Sequence, residues 1–309
     1  MRPRDRVLAQ HLDSAMERFC KTKHPLLGIA VAESRQAFIE QLLESIRRVK
    51  FVKVLLGRDV SSARADPNSL AFDPLRAAIL NIRSGNAEEG FWLIFLFVHF
   101  GKHRRAGWRY VREVYGRLGG PGRWDWPKVS ADTARFRTWL DSHKTELERP
   151  GIPRGFGNHR KYESLDGHSD HGTGAVVESY VGWVNPPRSH RALIDQTCQS
   201  ANNDPRMAFR TLFESMKVVT RFGRTARFDY LAMLGKLGLA KIEPDSPYLQ
   251  GATGPLAGAR LLFGKRETPT KLDELLIDLG RELGVGMQVL EDALCNWQKS
   301  PTTFKAFRG

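Results

Sequence analysis

RFGRTARFDYLAMLG, residues 221–235, is the stretch whose reading decides the fold. A single glycine, Gly223, separates two runs whose apolar residues recur at steps of three and four, the spacing that lines one face of a helix. The run before it, DPRMAFRTLFESMKVVTRF (204–222), reads as one helix, and the residues beyond Gly223 read as another. Arg221, Arg224 and Arg227 surround the glycine, and Thr225 is placed to cap the second helix. Gly223 is then either the stop signal of the first helix or the tip of a hairpin whose backbone amides grip a phosphate.

The same period runs through the chain. In SRQAFIEQLLESIRRVKFVKVLL (34–56), Phe38, Ile39, Leu42, Leu43, Ile46 and Val49 form one stripe, and Gly57 is the expected stop. In FDPLRAAILNIRSG (72–85), Asp73 before Pro74 reads as an N-cap with proline at the first helical position. GFWLIFLFVHFG (90–101) reads as a buried helix, followed by a basic one at 108–120 and a shorter one at 132–148. The apolar run is well short of the ~20 residues of a spanning helix, so no membrane role is expected. Residues 151–174 carry no period and read as one long loop, more often functional than decorative at that length. Helices resume at 175–184, 190–201 and 204–222, and two more close the chain at 271–300. No strand alternation appears, so the expected class is all-α.

Lys and Arg number 48 against 34 Asp and Glu, a formal charge of +14. That surplus favours a polyanionic partner. The three cysteines, Cys20, Cys198 and Cys295, are far apart and signal neither a disulfide framework nor a zinc or iron–sulfur site. A reducing cytoplasm fits, and the charged start MRPRDRVLAQHLDSAMERF does not read as a secretory signal. ESLDGHSDHGTG (163–174) gathers Glu163, Asp166, His168, Asp170 and His171 but lacks the His-x-x-x-His spacing of zinc hydrolases. It reads as a loop that folds over DNA, and no metal or cofactor is expected.

Phe-Gly followed by basic character occurs three times, in FGKHRR (100–105), FGNHRK (156–161) and FGRTAR (222–227). Taken with WLIFLFVHFGKHRRAGWRYVREVYG, GFGNHRKYESL, VTRFGRTARFDYLAMLGKLGL and DSPYLQGATGPLAGARLLF, these blocks resemble the alpha-glutamyl/putrescinyl thymine pyrophosphorylases, clade three. The resemblance covers roughly residues 70–265. That family is placed in the helical DNA glycosylase superfamily, so the resemblance implies a two-lobed helical fold. It also implies a helix-hairpin-helix, here at 204–240, and a DNA cleft between the lobes. The family name implies work on hypermodified bases, and some bacterial relatives resemble antiphage glycosylases that remove glucosylated 5-hydroxymethylcytosine. The hairpin is Phe-Gly-Arg-Thr where better-known members of the superfamily carry a Leu-Pro-Gly-Val-Gly type of turn.

The expected organisation is an N-terminal helical region (1–70), a glycosylase-like core (71–265) and C-terminal helices packing on it (266–309). Its expected partner is double-stranded DNA with modified bases, bound by a monomer. Hydrolysis of an N-glycosidic bond needs a carboxylate near the sugar and a pocket for an extruded base. Asp245, in KIEPDSPYLQG, occupies the place where the resemblance puts that carboxylate, and its alternative role is an ordinary N-cap. Glu178 is a second candidate, either desolvated with a raised pKa or an acid stabilised by the helix dipole. Phe222, Gly223, Arg224, Thr225, Arg227, Lys102, Arg104 and Arg105 are the expected DNA contacts. Phe156, Asn158, His159, Arg160, Tyr162 and Tyr248 are the expected base pocket. Trp124 and Trp126 are further candidates to stack on a base, whereas Trp92, Phe95, Phe100 and His99 read as core.

Overall fold

The structure is a computed structural model that describes residues 3–151, 153 and 155–306. Among the described residues all regular structure is helical, apart from one isolated bridge between His103 and Gly107. The protein is all-α. In chain order the helices are α1 (Arg6–Thr22), α2 (Ala32–Leu56), α3 (Pro74–Arg83), α4 (Ala87–Phe100) and α5 (Arg109–Tyr115). There follow α6 (Trp126–Ala131), α7 (Thr133–Ser142), α8 (Lys144–Leu147), α9 (Thr173–Val184) and α10 (His190–Ser200). The last five are α11 (Pro205–Ser215), α12 (Arg224–Leu237), α13 (Gly254–Phe263), α14 (Pro269–Leu283) and α15 (Met287–Trp297).

The chain divides into two compact units. One is built from both ends, Met1–Leu55 and Glu243–Gly309, so the N-terminal stretch shares its core with the C-terminal helices. The reason is complementary stripes: Leu12, Met16 and Phe19 of α1 and Phe38 and Leu42 of α2 form one cluster with Leu276, Leu290 and Trp297. The Phe38 and Trp297 rings meet at 4.9 Å. Gly254 and Gly258 let α13 come close to α15, since a Cβ at Gly258 would lie 2.4 Å from the Leu294 carbonyl oxygen.

The other unit, Leu56–Ile242, is organised around α4. Every residue from Glu89 to Phe100 except Phe97 is buried, as its unbroken apolar sequence requires. Asp73 caps α3 as expected, accepting from the Arg76 amide at 3.0 Å. The first turn of α4 supplies two adjacent acids that each satisfy the free amides of another helix. Glu89 accepts from the Tyr115 hydroxyl at 2.6 Å and from the Trp126 amide opening α6 at 2.8 Å. Glu88 accepts from the Ser189 hydroxyl and from the His190 and Arg191 amides that open α10, at 2.9, 2.9 and 3.0 Å.

Glu88 also begins a buried chain of hydrogen bonds. His190 Nδ1 is 2.6 Å from Glu88, His190 Nε2 is 2.7 Å from the Tyr180 hydroxyl, and that hydroxyl is 2.7 Å from the Tyr230 hydroxyl. Burial holds the His190 imidazole below its ordinary pKa against the pull of Glu88, so the ring is neutral. A carboxylate only accepts, so Nδ1 donates to Glu88, Nε2 accepts from Tyr180, and Tyr180 accepts from Tyr230. The chain ties α4, α9, α10 and α12 together.

Three expected helices are shorter in the structure. Residues 108–120 form only α5 and a 3-10 turn, because Arg117 and Leu118 take positive φ. Residues 132–148 break at His143 into α7 and α8. Residues 204–222 leave the α-helix at Ser215, ahead of the β-branched run Val218, Val219, Thr220, which is stiff in a helix.

Burial pushes the Glu88 carboxyl up, and the hydrogen bonds from His190 and the α10 amides outweigh it, holding the group at about 2 against an ordinary 4.5. A lowered carboxyl pKa stabilises the fold fully above the ordinary value, and the gain is lost as pH falls through the folded value. Glu88→Gln is expected to cost about 2 kcal/mol near pH 7. Denaturation of both proteins across pH should show that difference constant above pH 4.5 and shrinking towards pH 2.

Candidate functional site

The three Phe-Gly turns are brought together within the unit Leu56–Ile242. The first two pack back to back. The Gly157 amide donates to the Phe100 carbonyl at 2.8 Å, and the Phe100 and Phe156 rings stack at 5.4 Å. Gly101 has φ +62°, and a Cβ on Gly157 would lie 2.9 Å from the Gly101 carbonyl carbon and 3.0 Å from the Lys102 nitrogen. Glycine is therefore required on both sides of this contact.

The third turn joins through the second. Phe222 is buried against Phe95 at 5.3 Å, and the Arg160 guanidinium lies 5.6 Å above the Phe222 ring. Arg160 Nε donates to the Val98 carbonyl at 3.1 Å. Arg221 donates to Glu163 at 2.8 Å and to the Tyr162 carbonyl at 3.1 Å, so the long loop is fastened to the hairpin from both directions.

Gly223 is the N-cap of α12 and not the stop of α11. Its φ of −65° is open to any residue, its side is free of contacts within 4 Å, and no side chain caps the helix. The Thr225 and Ala226 amides take no hydrogen bond among the described residues. Thr225 and Gly223 are exposed, so the positive end of α12 faces solvent.

The basic residues divide into two sets. Lys102, Arg104 and Arg105 are exposed on a tight loop, closed by the His103–Gly107 bridge and by His103 Nδ1 accepting from the Arg105 and Ala106 amides at 3.2 and 2.9 Å. Asn158, His159, Lys161 and Tyr162 are also exposed. Arg224 and Arg227 instead lie over protein rings, Arg224 at 4.7 Å from Phe228 and Arg227 at 4.2 Å from Phe213. Arg227 also donates to the Phe213 carbonyl at 2.8 Å, which fastens α11 to α12.

Beside the paired turns is a cavity of about 220 Å³, lined by His103, Tyr110, Glu148, Phe156, Lys161, Glu163 and Ser164. Phe156 reaches it from the core, and Gly155 lies flat on the Tyr110 ring, where a Cβ would be 2.4 Å from Cγ. His99 is buried nearby, and burial, then Arg160 and Arg221, push its pKa down to about 3. It is neutral and 3.0 Å from the Thr173 hydroxyl, as a core histidine should be. Trp124 and Trp126 are buried as well, so the structure removes them as stacking surfaces for a base.

The two expected catalytic acids are engaged by other partners. Glu178 is exposed and paired with Arg137, which also donates to the Gly167 and His168 carbonyls, so it braces the long loop. Of its two readings, desolvation is absent because Glu178 lies on the outer face of α9, and it stands beyond that helix's first turn. Asp245 and Tyr248 belong to the unit built from the two chain ends. The Tyr248 hydroxyl donates to Asp245 at 2.5 Å, and the next helix starts at Gly254 behind Thr253, so Asp245 is not its cap. In the long loop, Glu163 and Asp166 are paired with Arg221 and Lys144.

Sequence reasoning missed Asp229. It lies on α12 one turn beyond Thr225 on the same face, and its side chain is exposed. Protein nevertheless crowds it, and burial pushes its carboxyl up against the pull of Arg160, Lys236, Arg224 and His159. The signal was present: it is the only acid between residues 221 and 241, among five basic residues.

The glycine contacts give a direct comparison. Gly157→Ala is expected to lower stability by about 1–3 kcal/mol, because the opposing backbone must move. Gly223→Ala should cost under about 1 kcal/mol, the loss of a favourable N-cap residue alone. Thermal unfolding of the two variants checks the order.

The family model described as alpha-glutamyl/putrescinyl thymine pyrophosphorylase clade 3 matches residues 33–309. Comparisons with curated proteins and with solved structures give no match.

Proposed function

Because the chain belongs to the alpha-glutamyl/putrescinyl thymine pyrophosphorylase family, clade 3, we propose that it acts on modified pyrimidines in double-stranded DNA as an N-glycosylase. The family name points to an enzyme of modified thymine. The observation that carries the DNA reading is the convergence of three glycine turns in one unit, with exposed Lys102, Arg104, Arg105, His159 and Lys161 and the uncapped start of α12.

In this reading α11, the turn and α12 act as a helix-hairpin-helix. A phosphate is held by the Thr225 and Ala226 amides, aided by the positive end of the helix. The Lys102–Arg105 loop contacts further phosphates and releases counterions. The cavity of about 220 Å³ receives the extruded base or its adduct. That volume is below the roughly 300–1,000 Å³ of drug-sized ligand sites and suits one base or substituent. Phe156 and the Tyr110 edge supply its apolar wall, and Ser164, Lys161, Glu148 and Glu163 supply groups for a polar adduct. Phage DNA with glucosylated hydroxymethylcytosine is the proposed substrate, and removal of its bases would leave abasic sites as a defence.

The family description favours a second reading, exchange of a group on a pyrophosphorylated pyrimidine with the glycosidic bond kept. One assay separates the two. Duplexes containing cytosine, hydroxymethylcytosine, its glucosylated form or a pyrophosphorylated hydroxymethylpyrimidine are incubated with the protein, and abasic sites, free base and pyrophosphate are measured. The glycosylase reading predicts abasic sites and free base from glucosylated DNA. No base release from any modified duplex contradicts it, and pyrophosphate release from a pyrophosphorylated pyrimidine without abasic sites establishes the second reading.

The interface has its own test. Replacing Lys102, Arg104 and Arg105 together with alanine is expected to lower the slope of log binding constant against log salt by roughly 1 per residue. An unchanged slope would place the DNA elsewhere.

A further inference from the structure

The polar groups of the cavity beside the paired turns divide by what they can still bond. The Glu163 side chain is 8% exposed, and only its Oε2 is engaged, by Arg221 at 2.8 Å. Oε1 accepts no hydrogen bond among the described residues, and Glu163 lines the cavity. A nearly buried carboxylate oxygen left without a donor is costly unless something that enters supplies one. Glu148, which follows α8, lines the same cavity, and its carboxylate makes no hydrogen bond or ion pair among the described residues. The donors stand with them. His103 Nδ1 already accepts from the Arg105 and Ala106 amides, which places the ring proton on Nε2 and makes that nitrogen a donor. Lys161 adds an ammonium.

Such a lining selects its ligand. A phosphate or pyrophosphate would meet two carboxylates for one ammonium, and the repulsion rejects it. A hydroxyl both donates and accepts, so adjacent hydroxyls on one ligand satisfy the carboxylates and the donors together. The walls select as well. The Tyr110 and Phe156 rings lie 5.2 Å apart at 82°, which makes a corner and not a parallel-sided slot. A flat base stacks best between parallel planes, whereas the C–H groups of a chair-shaped sugar pack into a corner.

We propose that this cavity is a sugar subsite. It takes the hexose substituent of the modified base while the base itself stays outside, with Glu163 and Glu148 accepting from the sugar hydroxyls and Lys161 and His103 donating to them. The proposal rests on the reading of the chain as an N-glycosylase of modified pyrimidines in DNA, and it names the part of the substrate that the cavity reads. Arg221 holds Oε2 of Glu163, so the third turn orients the carboxylate that meets the sugar.

Binding to four duplexes tests the assignment. Each carries one modified cytosine, hydroxymethylated, α-glucosylated, β-glucosylated or pyrophosphorylated, on a 2′-fluorinated sugar that resists cleavage. The wild-type protein is expected to bind one glucosylated duplex about a hundredfold more tightly than the hydroxymethylated one, as two hydrogen bonds to charged groups allow. Glu163→Gln and Glu148→Gln should each lower that ratio about tenfold. Glu148→Gln breaks no bond within the fold and should unfold at the wild-type temperature, so it decides the matter where Glu163→Gln, which weakens the Arg221 pair, folds poorly. Glu146→Gln removes the same charge two residues away, outside the cavity, and should keep the full ratio. A wild type with no preference for either glucosylated duplex, a preference for the pyrophosphorylated one, or a ratio unchanged in Glu148→Gln overturns the assignment, as does an equal loss in Glu146→Gln. Base release is recorded in parallel from unfluorinated duplexes. A Glu148-dependent preference without base release supports the subsite and overturns only the glycosylase reading. Base release from glucosylated DNA that is equal in the wild type and both cavity variants, with no preference in binding, overturns the subsite and leaves that reading standing.

Discussion

A neutral imidazole buried between a carboxylate and a phenol sets the geometry on which the rest of the Leu56–Ile242 unit depends. Because His190 is neutral, each proton in the run from Tyr230 through Tyr180 and His190 to Glu88 has one direction, and four helices are fixed by three short bonds. Tyr230 lies on α12, next to Asp229 and one and a half turns from Thr225. Tyr180 stacks on Phe95, which also carries Phe222 at the start of the hairpin. The position of the exposed helix start is thus set by a network whose imidazole and two phenols are buried.

The same economy governs the arginines. A charge of +14 suggests a surface covered with cations, yet several are used as packing material. Arg109 is buried against Glu113 and the Leu147 and Pro153 carbonyls, and Arg160, Arg224 and Arg227 each lie over a ring. A guanidinium tolerates this because its planar face is weakly hydrated while its edge keeps hydrogen bonds. The cations left for a partner are fewer than the total implies, and Lys102, Arg104, Arg105 and Lys161 at the paired turns are among them.

Much of this was legible in the sequence, and the misses have physical causes. Long stripes such as 34–56 and the Asp73–Pro74 start carried their own signals, and the helices appear where the period puts them. The six-residue α6 has no room for a period and exists because Glu89 and Asp125 satisfy its amides. The pairing of the first two Phe-Gly turns could be suspected from their likeness, but back-to-back contact through Gly101 and Gly157 is a tertiary fact. Periodicity also cannot tell an arginine on a ring from one facing DNA, which is why Arg224 and Arg227 were expected at the interface.

The central claim is that three turns distant in sequence form one DNA-facing surface. Amide hydrogen exchange with and without duplex DNA tests it most directly. Protection on binding should appear together at residues 101–106, 157–161 and 223–226, while the buried amides of α4 stay as slow as before. Protection confined to one turn, or lying outside all three, would contradict the account.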